Sequence, residues 1–114
     1  MRQALCAMVL ACVILAAGEV TAITGGDYQR LTPNERAMYV AGTLEGWISA
    51  DAIMKRSPSP LFTASIGGIV TCVSGRLSTA QVRTIVDRHV AKNPSERNQE
   101  MGRLLMLAML EACR

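Results

Sequence analysis

What most constrains this chain is where its cysteines fall relative to an apolar run at the amino terminus. Arg2 supplies one positive charge, and an unbroken apolar stretch follows from Ala4 to Ala17. At about 14 residues, that stretch fits the hydrophobic region of a secretory signal peptide and is too short to span a bilayer. Small residues follow, with Val20 and Ala22 spaced as a signal peptidase site requires. Cleavage is expected after Ala22, leaving 1–22 as the signal peptide and 23–114 as a single mature domain. Cys6 and Cys12 depart with the leader, so of 4 cysteines only Cys72 and Cys113 remain. An even pair in an exported chain reads as a disulfide. Closing a loop of about 41 residues should stabilise the fold by roughly 4 kcal/mol in the chain-entropy account.

Removing 22 of the 114 residues leaves 92, the length of one small domain. A chain of that size buries only about two-thirds of its unfolded surface, so a covalent brace carries weight. Losing Arg2 and Glu19 keeps the net charge at +3. The basic residues are scattered, and the aromatics are only Tyr28, Tyr39, Trp47 and Phe62. Nucleic-acid binding needs a concentrated basic stripe with stacking platforms, and neither is present. No membrane anchor is expected once the leader is gone.

The pattern along the mature chain is helical. Ile23 to Arg30 contains two glycines and reads as a mobile lead-in. Thr32-Pro33-Asn34-Glu35 is a helix start: Thr32 caps, Pro33 suits the first helical position and Glu35 reaches back. Ala37, Val40, Ala41, Leu44 and Ile48 follow at helical spacing. Gly42 and Gly46 in this helix suggest close approach of another backbone. Asp51 interrupts the apolar stripe and pairs with Lys55 or caps the helix. The Ser57-Pro58-Ser59-Pro60 stretch breaks the helix. Leu61 to Cys72, with Gly67-Gly68 and a β-branched run, reads as a loop ending in a short extended piece. Ser78 to Gln81 is a second capping box, opening a helix whose face is Val82, Ile85, Val86, His89 and Val90. Asn93-Pro94-Ser95-Glu96 opens the last helix, expected to run unbroken from Pro94 to about Ala112. The fold expected is all-α, a small bundle of three to four helices closed by one disulfide.

Residues that carry chemistry are sparse. His89 is the only histidine and stands at the edge of an apolar helical face, without the three or four ligands a zinc site needs. The serines fit no nucleophile elbow, and the glycine pairs lack the spacing of a phosphate loop. Enzymatic activity, a metal and a cofactor are therefore not expected. Binding is. Leu104 to Leu110 is apolar on every side, which in a domain this small calls for an outside partner. Leu107 and Leu110 lie away from the main stripe of Met101, Leu104, Leu105, Ala108 and Ala112, so they are the candidate contacts. They are also the basis for expecting a homodimer through the last helix. The proline-restricted segment from Arg56 to Ser65, with Phe62 as its apolar anchor, is the other candidate partner-binding element.

The second half of the chain resembles a known family. Cys72-Val73-Ser74-Gly75, then Leu77 to Val82, Val86 to Val90, Asn93-Pro94 and a terminal apolar helix ending at Cys113 are similar to the Rap/Tai periplasmic immunity proteins. Tyr39-Val40-Ala41-Gly42 matches that family's Gly-containing aromatic segment in an early helix. The resemblance spans about residues 31–113. It departs where the family favours an aromatic and this chain has His89, and where Glu111-Ala112 replaces an aromatic-Pro pair before Cys113. It implies residence in the periplasm and inhibition of a peptidoglycan amidase delivered by type VI secretion, with no catalytic residue to transfer. The alternative is a general periplasmic helical accessory or chaperone-like protein. Mass spectrometry of the exported protein should give the mass of Ile23–Arg114, and a full-length or lipidated species would refute the cleavage site.

Overall fold

In the computed structural model, residues 21–56 and 60–114 are described, and for 60–65 the backbone alone. Most of the expected leader, and the segment 57–59, lie outside that set. The described chain forms five α-helices: α1 Gly25–Arg30, α2 Pro33–Met54, α3 Pro60–Arg76, α4 Thr79–Lys92 and α5 Met101–Ala112. A 3-10 turn over Pro94–Glu96 links the last two. The all-α expectation holds, with one more helix than the expected three to four.

The expected capping boxes form. Thr32 Oγ1 accepts from Glu35 N, and Glu35 Oε2 accepts from Thr32 N at 2.7 Å. Ser78 and Gln81 repeat the pattern at the head of α4. α2 runs on to Met54 through the charge at Asp51, which at 4% exposure is held by Lys55 at 2.9 Å one turn on. The core is a single cluster to which all five helices contribute. Val82, Val86 and Val90 of α4 interleave with Val40 and Leu44 of α2, Ile69 and Val73 of α3, and Met101, Leu104, Leu105, Ala108 and Met109 of α5.

Three expectations are corrected. The segment from Leu61 to Cys72 is helical as part of α3, not a loop with an extended piece. Ile66, Ile69 and Val73 recur at helical spacing and are buried, so packing outweighs the cost of Gly67 and Gly68. Gly67 faces Asp51: a Cβ added there would stand 3.5 Å from Oδ1. Consequently the irregular stretch expected to reach Ser65 gives way to helix at Pro60.

The second correction is that the lead-in is not mobile. Thr24 caps α1 in a capping box with Asp27. The backbone of residues 23–26 docks on the connector before α5, through Gly25 N to Gln99 O at 3.1 Å, Gly26 N to Arg97 O at 3.0 Å and Met101 N to Ile23 O at 2.7 Å. This pairing causes the third departure. Because residues 97–101 use their backbone groups on the lead-in, Glu100 is extended and the last helix starts at Met101 rather than Pro94. Gly25 permits the approach, since a Cβ there would lie 2.6 Å from Leu104 Cδ1.

Cys72 and Cys113 are joined, with Cα atoms 6.0 Å apart. Cys72 lies in the penultimate turn of α3, rather than ahead of the next helix, and Cys113 caps α5. Replacing either cysteine by serine should lower stability by about 4 kcal/mol and slow migration on a non-reducing gel. An unchanged melting temperature in both single variants would refute the brace.

Candidate functional site

Tyr28 anchors the lead-in at a polar junction of α1, α2 and α4. Its hydroxyl donates to Asp87 Oδ1 at 2.7 Å. Arg36 of α2 sits 5.5 Å from the Tyr28 ring centroid and 3.8 Å from the same carboxylate, which Arg83 approaches at 4.0 Å. Tyr39 meets Tyr28 edge-on at 5.9 Å. Burial, reinforced by the neighbouring Asp87 carboxylate, pushes the Tyr28 hydroxyl far above the ordinary tyrosine range. Tyr28, Arg36 and Asp87 answer one another within the chain, with Arg83 Nε buried beside them without a hydrogen bond, and together they lock α1 and α2 to α4.

The second polar cluster borders a groove of about 420 Å³ between α4 and α5. Ile85, Ala108 and Ala112 give it an apolar floor, and Arg88, Lys92, His89 and Glu111 are the charged side chains on its walls. His89 stands between two carboxylates, with Nδ1 3.5 Å from Glu111 Oε2 and Nε2 3.8 Å from Glu96 Oε2. His89 Nε2 and Glu96 Oε2 are buried without a hydrogen bond. The carbonyl of His89 accepts from Asn93 Nδ2 at 2.8 Å, which closes α4. Among the described residues, no group of three or more His, Cys, Asp or Glu could hold a metal ion. One imidazole with two carboxylates held beyond hydrogen-bond distance is suited to linking the connector to α5.

Partner-facing apolar surface lies in two places. On α5, Leu107 and Leu110 are 37% and 39% exposed, beside the exposed Arg103, Glu111 and Arg114. Met109 is buried where Ala112 was expected, so the core takes more of the terminal run than its main stripe suggests. On α2, Met38 and Ile53 are 67% and 66% exposed and Ile48 is 44% exposed. Gly42 and Gly46 stand on this outer side: a Cβ added at either would meet no described atom within 4 Å. The close backbone approach expected there is not made within the described chain. The two glycines cost α2 about 2 kcal/mol relative to alanine, with no packing in return. Phe62 lies in the first turn of α3, and its side chain is outside the described set.

Sequence reasoning missed Tyr28, Asp87 and the exposed side of α2. The Thr24-to-Asp27 capping pattern signals α1, but nothing local tells that Tyr28 reaches a carboxylate 59 residues away. Comparison of the chain with family models, with curated proteins and with solved structures finds no match. No helix among the described residues is long and apolar enough to cross a membrane.

Tyr28→Phe should lower stability by about 2 kcal/mol at neutral pH, through loss of a buried hydrogen bond to a charged group. Tyr28 also sets an alkaline limb. Its folded pKa is raised, so its contribution is complete below the unfolded value of 10.0 and is lost as the pH climbs above that value. Urea denaturation between pH 8 and pH 11 (a range bracketing the ordinary tyrosine pKa) should fall more steeply for the wild type than for Tyr28→Phe. Parallel slopes would refute the assignment.

Proposed function

We propose that this chain is a periplasmic immunity-type protein that binds and inhibits a peptidoglycan amidase delivered by type VI secretion. The observation that carries the reading is the Cys72–Cys113 bond, which encloses a capped helix, an Asn93-Pro94 junction and a terminal apolar helix. That sequence of elements is the one on which the resemblance to the Rap/Tai proteins rests. Such a protein needs no catalytic group, since protection comes from binding energy and exclusion of substrate.

Leu107 and Leu110 supply an exposed apolar pair on a helix fixed by the disulfide, flanked by Arg103, Glu111 and Arg114. An apolar centre with a charged rim is the composition of a protein-binding surface. The fixed backbone lowers the ordering cost of association. To capture its toxin before the wall is cut, the protein needs nanomolar affinity or better, about 12 kcal/mol. A second reading, a periplasmic accessory or chaperone-like protein without a toxin, is favoured by the exposed Met38, Ile48 and Ile53 of α2.

The test is co-expression in the periplasm with a papain-like amidase encoded beside this protein. The exported form should rescue growth and a leaderless form should not. Leu107→Glu with Leu110→Glu should weaken the complex at least tenfold while helical content stays unchanged. Failure of rescue, with no complex at micromolar concentration, would select the accessory reading.

A further inference from the structure

The solvent side of α2 carries a pattern that the fold leaves unused. Glu35, Met38, Ala41, Gly42, Glu45, Gly46, Ile48, Ser49, Ala52 and Ile53, together with Arg56 in the turn that follows the helix, are all exposed. From Met38 to Ile53 this side carries a single charge, Glu45. A solvent-facing side of so long a helix ordinarily carries many charges. Met38 and Ile53 are the two most exposed large apolar residues in the described chain.

We propose that this face is a self-association surface, occupied by the same face of a second copy in antiparallel, two-fold arrangement. The argument for a second copy is self-complementarity. If the two-fold axis passes between Glu45 and Gly46, Met38 of one copy meets Ile53 of the other and Gly42 meets Ser49. Glu35 meets Arg56, an acid against a base at both ends. Glu45 meets Gly46, whose missing side chain leaves room for the Glu45 stem to lean outward. Eight of the eleven exposed residues therefore find a mate within the same set, the pattern of an isologous interface, while Ala41, Ile48 and Ala52 fall opposite the half-buried Ala50, Thr43 and Tyr39 at its margin. A parallel pairing would instead set Glu35 on Glu35 and Arg56 on Arg56. Thr32 N uses Oε2 of Glu35, so Oε1 is the oxygen offered to Arg56 of the second copy.

The geometry suits close packing. At Gly42 and Gly46 no described atom lies within 4 Å of an added Cβ, so two helix backbones can approach there. α2 has 22 residues and, at about 1.5 Å per residue, is roughly 33 Å long. One helix against one helix is smaller than the roughly 1,600 Å² of a standard interface, so the dimer should dissociate at tens to hundreds of micromolar. This surface is separate from Leu107 and Leu110, and the inference stands independently of the amidase reading.

Sedimentation equilibrium of the exported, disulfide-closed protein tests it, with circular dichroism confirming that each variant is folded. The wild type should show a monomer–dimer equilibrium. Met38→Glu alone and Ile53→Lys alone should each weaken it at least tenfold. The double variant should return to within threefold of wild type, because each new acid then faces a new base across the axis. Glu45→Gln should tighten the dimer, since it removes the like charges nearest the axis. A wild type that stays monomeric at several hundred micromolar overturns the proposal. So does a double variant no stronger than the singles, or an association lost in Leu107→Glu/Leu110→Glu but indifferent to Met38 and Ile53.

Discussion

The bond between Cys72 and Cys113 is the constraint on which the arrangement of helices depends. α3 packs chiefly on α2, and α5 packs chiefly on α4. α2 and α4 pack on each other through the common core, and the disulfide adds a covalent tie between the pairs by fastening the end of α3 to the end of α5. Between the bridged residues lie α4 and the connector, whose valines and backbone groups serve the common core. A small helical domain has little apolar area to hold such pairs together, and restricting the unfolded chain adds stability without adding core.

Within that frame, polar groups do two kinds of work. The Tyr28–Asp87 hydrogen bond and its flanking arginines fix α1 and α2 to α4 at a place where apolar packing alone would leave orientation loose. Asp51 and Lys55 finish α2 beside α3. His89, between Glu96 and Glu111, stands where α4, the connector and α5 meet. Among the described residues, the exposed large apolar side chains lie on outward helix faces. The two such faces are different in kind: on α5 a leucine pair sits in a charged rim, and on α2 a long, nearly uncharged strip runs between an acid and a base.

Those differences bear on how binding and self-association could coexist. α2 and α5 have their exposed residues on different elements, each anchored to the core by its opposite side. A partner seated on Leu107 and Leu110 therefore need not compete with a second copy on Met38 and Ile53.

By itself, the sequence determined the elements that depend on short-range chemistry. Thr32, Ser78 and their partners three residues on specify the starts of α2 and α4, because a cap satisfies amides within one turn. The valines of α4 and the stripe of α5 specify their buried faces by helical period, and the cysteine pair specifies the bridge. Leu107 and Leu110 were legible as outlying residues for the same periodic reason. Tertiary structure decided what depends on distant partners. α3 is helical because Ile66, Ile69 and Val73 find a core that local propensity, weighed down by Gly67 and Gly68, does not reveal. Residues 97–100 leave the helix because the backbone of Ile23 to Gly26 takes up their hydrogen bonds. Gly42 and Gly46 announced a close approach, and only the folded chain shows that no described atom makes it.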